Sequence, residues 1–190
     1  MQFSILIPSL ASRGKQRSKL IEVLEQHRSV EVEILTDIDN GIKPIGQKRN
    51  DLLRRSSGDY VAFIDDDDMV SDDYVPRILE GIGTGPDCIG MKVEMTSDGN
   101  NPEIGICSIQ NKKWYSENDI DNPGRKIYYR TPHHLCPVRR EIALSVGFPE
   151  TNHGEDREYS IGILPQLKSE FMINKVLYYY LYDSKKPKRR

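Results

Sequence analysis

The sequence is poor in the features that mark secreted, zinc-binding or membrane proteins. Its three cysteines, Cys88, Cys107 and Cys136, are odd in number and far apart, which indicates neither a disulfide framework nor a zinc site. Reduced thiols of this kind are typical of cytoplasmic proteins. No apolar run is long enough to span a membrane, and the short run at Phe3 lacks the basic flank of a signal peptide. We therefore expect a cytoplasmic protein without a membrane anchor.

A strong charge of one sign and two common phosphate-binding loops are also missing. The net charge is −2, so the whole molecule has no general electrostatic affinity for nucleic acid. A P-loop needs glycine at the position of Ser9 and serine or threonine at Gln16, and no dinucleotide-binding glycine pattern occurs. Phosphate recognition in this chain must therefore depend on a metal ion and on basic side chains.

The most informative segment is an apolar run, Tyr60 to Ile64, that ends in four consecutive carboxylates, Asp65 to Asp68. The run has the β-branched and aromatic content of a buried strand. Four adjacent negative charges must follow the carboxyl end of that strand, where open α/β sheets bind ligands. Because crowded carboxylates repel one another and hard divalent cations prefer oxygen ligands, the segment indicates a metal site completed by a ligand's phosphates.

Other interpretations of this acidic region are simpler. A calcium loop beginning at Asp65 is excluded, because Val70 stands where such a loop requires glycine. Asp72 and Asp73 follow Ser71, a candidate helix cap, and are explained by the favourable charge of acidic residues in a first helical turn. A solvated acidic loop without a ligand is the remaining alternative for the four aspartates.

The order of apolar patterns predicts a parallel sheet covered by helices. Strands alternate with amphipathic helices through the first half, as in α/β proteins. Strands are predicted at 3–7, 32–35 and 60–64, and helices at 15–27, 47–55 and 72–80.

The second half is less regular. Turn signals at 98–102 and 121–124 bracket a polar stretch that predicts a hairpin or a flap around Trp114 and Tyr115. Further strands are predicted at 87–94, 171–173 and 176–182, and short helices at 137–146 and 155–164.

Several motifs in this order resemble the GT-A fold glycosyltransferases of family 2. Members of that family carry a Gly-x-x-x-Ala-Arg-Asn element, then a strand ending in Asp-x-Asp, and later a Gly-Phe-x-Glu and Gly-Glu-Asp run. The matching residues here are Ile7-Pro8-Ser9, Lys48-Arg49-Asn50, Gly58 to Asp68, His134 to Glu141, Val146 to Glu150, and Gly154-Glu155-Asp156.

The resemblance covers nearly the whole chain. It implies an α/β GT-A fold with a Rossmann-like, mostly parallel central sheet flanked by helices. A single domain would span residues 1–184, with a nucleotide-sugar-binding half at 1–95, an acceptor-binding half at 96–184 and a basic tail at 185–190. The donor would be a nucleotide-diphosphate sugar, with a UDP-sugar favoured.

The resemblance also implies which residues bind the donor and the metal. Asp67 would ligate Mn2+ or Mg2+ directly, with Asp65 in the metal shell or at the ribose. Asp68 would be an outer partner, and alternation would turn Asp66 away. Arg49 would face the diphosphate, and Asp37 or Asp39 would hold the base or ribose. The full donor-binding set is Pro8, Arg13, Asp37, Asp39, Lys48, Arg49, Asp65 and Asp66.

Asp156 would be the general base, with Glu155 orienting it or touching the acceptor. From the residues alone, both carboxylates are also explained by the dipole of the helix that they begin. Acceptor contacts are expected from Trp114, Tyr115, His134 and Glu155. The alternatives are core packing for the two aromatic residues and structural roles for His133 and His134.

The sequence departs from the family pattern in several places. Lys48 replaces the usual alanine before Arg49, and no Gln-x-x-Arg-Trp motif of processive polymerases follows Asp156. No histidine follows His153, so a late histidine ligand for the metal is missing. One base and no evident nucleophile predict inversion and the transfer of single sugars.

The acceptor is expected to be a surface glycan, a protein side chain or a hydroxymethylated pyrimidine in DNA. The basic run Lys185 to Arg190 is the feature that favours DNA, although a solubilising tail is the simpler interpretation. A sugar-nucleotide nucleotidyltransferase, which would need a glycine-rich triphosphate loop, and an inactive binding module on the same fold are the alternative functions.

Overall fold

The computed structural model describes residues 2–184. The first three long strands, β1 (Phe3–Leu10), β2 (Val32–Asp39) and β3 (Tyr60–Phe63), are parallel and lie in the order β2-β1-β3. The helices between them are α1 (Gly14–Glu25), after a short 3-10 turn at Ala11–Arg13, and α2 (Ile45–Arg55). A two-residue strand, β4 (Met69–Val70), and α3 (Tyr74–Ile82) follow.

The remaining strands extend the same sheet and bring in antiparallel neighbours. Its order is β2-β1-β3-β9-β5-β6-β8-β7, with β10 parallel to β5 and antiparallel to β4. These elements are β5 (Cys88–Ser97), β6 (Asn100–Cys107), β7 (Tyr115–Asn118), β8 (Lys126–Arg130), β9 (Val138–Arg139), α4 (Arg140–Val146), α5 (Glu155–Ile163), a 3-10 turn (Leu164–Gln166) and β10 (Glu170–Tyr182).

Helices cover both faces of this sheet, as the alternation in β1 shows. Ile5 and Ile7 belong to one buried cluster and Leu6 to another, because successive side chains of a strand point to opposite faces. The first cluster includes residues of α1 and α3, and the second includes residues of α2, α4 and α5. The predicted α/β class is therefore confirmed.

Some element boundaries differ from the predicted ones. β1 continues through Pro8 to Leu10 because β3 pairs with it only as far as Leu6, so the missing N–H of Pro8 interrupts no strand pairing there. The two late strands are one irregular strand, β10, whose register with β5 shifts on both sides of Val176. The helix predicted from 137 begins at Arg140, because the two residues before it pair with β3 and β5.

The helix predicted to begin at Asp72 begins at Tyr74 instead. The Ser71 hydroxyl donates to the Asp73 carboxylate at 2.9 Å rather than capping a backbone N–H. Among residues 2–184, no helix has both the length and the apolar character needed to cross a bilayer.

Candidate active site

The acidic segment lies at the carboxyl ends of the parallel strands. β3 ends at Phe63, and Asp65 to Asp68 follow it directly. β1 and β2 end nearby, since their last residues, Leu10 and Asp39, are paired in the sheet register. The structure therefore brings most of the predicted donor-binding residues to one edge, as expected for a parallel sheet.

Asp66 faces the protein rather than solvent. It is 1% exposed and accepts hydrogen bonds from the Ser9 hydroxyl at 2.7 Å and the Leu10 N–H at 3.0 Å. Arg13 Nη1 donates to its other oxygen at 2.7 Å. The side chain thereby fastens the loop after β3 to the end of β1.

Arg13 is one of two arginines that contact this loop; the other, Arg49, contacts Asp65. The Nη1 atom that bonds Asp66 also lies 3.0 Å from Asp67 Oδ2. Asp67 is partly exposed, with 18% of its side chain accessible. The predicted metal ligand is thus the partly solvent-facing carboxylate of a pair that shares one guanidinium.

Asp68 lies on the opposite side of the loop, against β10. It accepts hydrogen bonds from the Tyr178 hydroxyl at 2.7 Å and from the Leu181 N–H at 2.8 Å. Burial, together with the negative charge of Asp65, raises the pKa of Asp68 well above its ordinary value. The Asp68 carboxyl group therefore has a structural role, because its hydrogen bonds join the loop after β3 to β10.

Arg49 connects the loop after β3 to the start of α5. Its Nη2 donates to Asp65 at 3.1 Å and its Nη1 donates to Glu155 at 2.6 Å. The guanidinium is buried, with its central carbon 5.9 Å from the centre of the Phe63 ring and 5.6 Å from that of Phe148. The sequence predicted a diphosphate contact for Arg49, whereas the structure shows it bridging two carboxylates 90 residues apart along the chain.

The charge of Arg49 shifts the pKa values of Asp65 and His134. Burial alone would raise the pKa of Asp65, but Arg49 and His134 lower it far below its ordinary value. Burial and the nearby charge of Arg49 lower the pKa of His134 to about 4, so this imidazole is neutral at pH 7. His134 Nε2 lies 3.8 Å from Asp65 Oδ2.

Lys48 is buried beside the end of β1. Its Nζ donates to the Ser9 carbonyl at 2.6 Å and forms an ion pair with Asp39. Asp39 also accepts the Gly41 and Lys43 N–H groups, at 2.9 and 2.7 Å. Asp37 forms an ion pair with Lys43 at 3.1 Å. These contacts order the loop between β2 and α2.

A cleft of about 430 Å3 opens beside Asp65 and reaches the start of α5. Both predicted catalytic residues, Glu155 and Asp156, line it, as do the predicted acceptor residues Trp114 and His134. Its other lining residues are Arg49, Val93, Met95, Gly105, Cys107, Arg130, His133, Leu135, Asn152, His153, Gly154 and Tyr180.

Asp156 enters the cleft from the first turn of α5. Gly154, with φ of 79°, makes the left-handed turn that begins the helix. Asp156 Oδ1 accepts the Arg157 N–H at 2.8 Å. Burial alone would raise the pKa of Asp156, but His134, His133 and Arg49 lower it, so the carboxylate is ionised at neutral pH.

Trp114 and Tyr115 are separated by the structure, although they are adjacent in sequence. Trp114 lines the cleft and donates its Nε1–H to Thr131 Oγ1 at 2.7 Å. Tyr115 begins β7 and stacks on Tyr129 of β8, with ring centres 4.6 Å apart and 37% of its surface exposed. Tyr115 does not line the cleft, because successive side chains of an extended chain point to opposite sides.

Sequence reasoning missed Arg130, Cys107 and Tyr180 as cleft residues. Arg130 ends β8 and Cys107 ends β6, and the two are partners in the strand register. Only the pairing of these strands places them beside α5. The sequence carried no signal for that pairing.

Within residues 2–184, no group of three or more histidine, cysteine, aspartate or glutamate side chains is arranged to hold a metal ion. Asp67 and Asp65 remain as carboxylates at the sheet edge. A cation at this edge would need further oxygen ligands from a bound molecule, as Mg2+ commonly takes from phosphates.

Solved structures with the same architecture support the fold. No curated protein matches the sequence. The crystal structure of S. aureus TarS 1-349 has a TM-score of 0.70 and 18% identity, with 95% of this chain and 60% of that chain covered. The same protein in complex with UDP-GlcNAc has a TM-score of 0.72 and 15% identity, with 100% of this chain and 60% of that chain covered. The chain thus spans 60% of the length of these structures.

The sequence itself also matches a protein family. The family model described as glycosyl transferase family 2 matches residues 18–143, which is more than half of the chain. The matched region contains Arg49 and the whole of Asp65 to Asp68, whereas α5 with Asp156 lies outside it. The chain belongs to glycosyl transferase family 2 and has the GT-A fold that the sequence predicted.

Proposed function

We propose that the protein transfers one sugar from a nucleotide-diphosphate sugar to an acceptor hydroxyl, with inversion at the anomeric carbon. Asp156 is the general base, and the cleft beside it holds the sugar and the acceptor. The observation that carries the proposal is that Asp65, next to the predicted metal ligand, and Asp156 line one cleft although they belong to different halves of the chain.

The donor side of the proposal is a UDP-sugar at the carboxyl ends of β1, β2 and β3. The structurally similar TarS was solved with UDP-GlcNAc and with UDP, which supports this class of donor. Asp37 and Asp39 end β2 and are the residues proposed to lie near the base and ribose. Arg13 is partly exposed, has its Nη1 3.0 Å from Asp67 Oδ2, and is proposed to contact the diphosphate.

A divalent cation, Mn2+ or Mg2+, fits this edge together with the donor. Asp67 is partly exposed and offers carboxylate oxygens, the ligand type that both ions prefer. Asp67 would hold the ion directly, with Asp65 beside it and phosphate oxygens completing the shell. When bound, the ion would offset the negative charge that builds on the departing diphosphate.

The chain's own residues account for the acceptor half of the reaction. The ionised Asp156 accepts the proton of the attacking hydroxyl, which acidifies as its oxygen bonds to carbon. Glu155 is held by Arg49 and so fixes the first turn of α5 relative to the sheet edge. Attack from the face opposite the diphosphate gives inversion, since no carboxylate is proposed to attack the sugar.

The test is turnover of UDP-GlcNAc and other nucleotide sugars, followed as UDP release with and without Mn2+. Asp156→Asn should lower kcat by about a hundredfold or more, because it removes the base. Glu158→Gln changes an exposed carboxylate in the same helical turn and is the matched control. Equal rates for the two variants would refute the role of Asp156. Release of pyrophosphate from a nucleoside triphosphate and a sugar phosphate would instead indicate a nucleotidyltransferase.

The acceptor remains a hydroxyl compound of the classes named above. The basic run that favoured DNA, Lys185 to Arg190, lies outside the described residues. If the run contacts DNA, its deletion should weaken duplex binding and reduce the salt dependence of that binding.

A further inference from the structure

Arg130 is a half-buried cation in the cleft. Within residues 2–184 it forms no ion pair, although the other site cations do: Arg13 with Asp66, and Arg49 with Asp65. Its Nη1 donates to the carbonyls of Tyr115 and Tyr129, both at 3.1 Å. Burial lowers the pKa of Arg130, and the nearby charges of Cys107 and Asp156 offset that effect only in part.

The surroundings hold the Arg130 guanidinium in place. Its central carbon lies 4.9 Å from the centre of the Trp114 ring and 5.1 Å from that of Tyr128. Within the described residues, Arg130 donates hydrogen bonds through Nη1, which leaves Nε and Nη2 for a ligand that enters the cleft. An ordered guanidinium with free N–H groups is suited to bind a phosphate or carboxylate.

Arg130 is far from the edge proposed to hold the donor's diphosphate. Trp114 and His133 have ring centres 5.6 Å apart, and the nearest nitrogens of His133 and His134 are 3.4 Å apart. His134 in turn lies 3.8 Å from Asp65. Strands β9, β5 and β6 lie between β3, which leads into Asp65, and β8, which ends at Arg130, so Arg130 belongs to the wall of the cleft opposite the donor edge.

Asp156 and Arg130 line the same cleft without forming an ion pair. One supplies a proton acceptor and the other an unpaired positive charge. An acceptor that satisfies both carries a hydroxyl and, a short distance away, an anionic group.

We infer that Arg130 forms an anion subsite for the acceptor, and that the acceptor is a phosphate ester whose free hydroxyl reaches Asp156. The part of this inference that involves Asp156 rests on the proposed function. Anion binding by Arg130 is independent of it. A cleft of about 430 Å3 accommodates small units of this kind.

Duplex DNA fits this wall less well. The hairpin of β7 and β8 that carries Arg130 mixes the exposed Glu117 and Asp121 and the partly exposed Asp119 with Arg125 and Lys126. A duplex backbone needs a continuous basic track, which this mixture does not provide.

The single tryptophan of the chain makes the subsite directly measurable. Arg130 lies over Trp114, so a ligand bound to Arg130 should change the fluorescence of that residue. We expect glycerol 3-phosphate to give a saturable change and glycerol to give none. Arg130→Met, which keeps an apolar contact with the ring but removes the charge, should raise the midpoint at least about tenfold. Arg125→Met, at an exposed position of the same hairpin, should titrate as the wild type does.

Each of the other outcomes would overturn the inference. They are no saturable change with the wild type, an unchanged midpoint for Arg130→Met, equal binding of inorganic phosphate, or tighter Arg130-dependent binding of a short duplex. If Arg130→Met fails to fold, Arg130→Lys should keep the charge and retain part of the phosphate response.

Turnover separates the subsite from the proposed function. With UDP-GlcNAc as donor, Arg130→Met should raise KM for a phosphorylated acceptor at least about tenfold more than KM for the same acceptor without phosphate. An increase in donor KM alone would place Arg130 at the donor and overturn the inference. If no nucleotide sugar is turned over by the wild type, the proposed function fails while the fluorescence titration still tests the subsite.

Discussion

The donor edge and the opposite wall of the cleft differ in how their charges are balanced. At the donor edge, Arg13 and Arg49 are paired with aspartates, and Asp66 and Asp68 each accept at least two hydrogen bonds. At the opposite wall, neither Asp156 nor Arg130 forms an ion pair within the described residues. The difference indicates that the edge is organised before any ligand arrives, whereas the wall presents charges for a ligand to pair.

The largest expected effect comes from removing the bridge at the organised edge. Arg49→Met leaves the buried Glu155 and the partly exposed Asp65 without their guanidinium partner and should lower the free energy of unfolding by about 3–5 kcal/mol. Arg54→Met, which removes an exposed ion pair with Asp51 in the same helix, should cost less than about 1 kcal/mol. Urea denaturation of both variants tests the contrast. Equal losses of unfolding free energy would show that the buried bridge stabilises the fold no more than the exposed ion pair does.

A smaller loss is expected when the fastening of the loop is weakened. Asp66→Asn removes the charge that binds Arg13 and replaces one of two acceptor oxygens with a donor group. The free energy of unfolding should fall by about 2 kcal/mol. Asp72→Asn, at an exposed position of the same segment, should leave the urea midpoint unchanged. A loss of similar size at both positions would contradict the role given to Asp66.

Asp65 and Asp68 should respond to pH in opposite directions. The lowered pKa of Asp65 contributes stability above the ordinary aspartate value of about 4, and this is lost as pH falls toward the folded-state pKa. The raised pKa of Asp68 contributes stability at low pH that is lost as pH rises through the folded-state pKa.

Urea midpoints measured from about pH 3 to 8 test this pair. Asp65→Asn should reduce the dependence at the acid end, and Asp68→Asn should reduce it at the neutral end. The same change of slope in both variants would mean that the two carboxyl groups share one environment.

The smallest effect is expected outside the cleft. Tyr115→Ala removes the stack with Tyr129 and should cost about 0.5–1.5 kcal/mol, with acceptor KM changed less than about twofold. The measurement distinguishes Tyr115, which lies outside the cleft, from its neighbour Trp114, which lines it. A large increase in acceptor KM for Tyr115→Ala would indicate that Tyr115 contacts the acceptor, as the sequence predicted.

Local patterns predicted the sheet edge better than they predicted the opposite wall. An apolar run followed by charges is enough to locate Asp65 to Asp68 at a strand end. The partner of Arg49 at Glu155 is 106 residues away, and that of Asp68 at Tyr178 is 110 residues away. Such contacts arise from the packing of the whole sheet, which no local pattern encodes.

The environments of Arg130 and Lys48 also depend on long-range packing, so local sequence patterns did not predict them. The predicted hairpin is present as β7 and β8, but only its parallel pairing with β6 turns Arg130 toward α5. Lys48 was expected at the donor, and its burial against Ser9 and Asp39 depends on where β1 and β2 end.

A crystal structure with Mn2+ and UDP-GlcNAc tests the account most directly. We expect the diphosphate and the metal against Asp67 and the sugar inside the cleft, with the anomeric carbon open to Asp156 on the face opposite the diphosphate. A nucleotide sugar bound away from Asp67, or one whose anomeric carbon faces away from Asp156, would contradict the proposed mechanism.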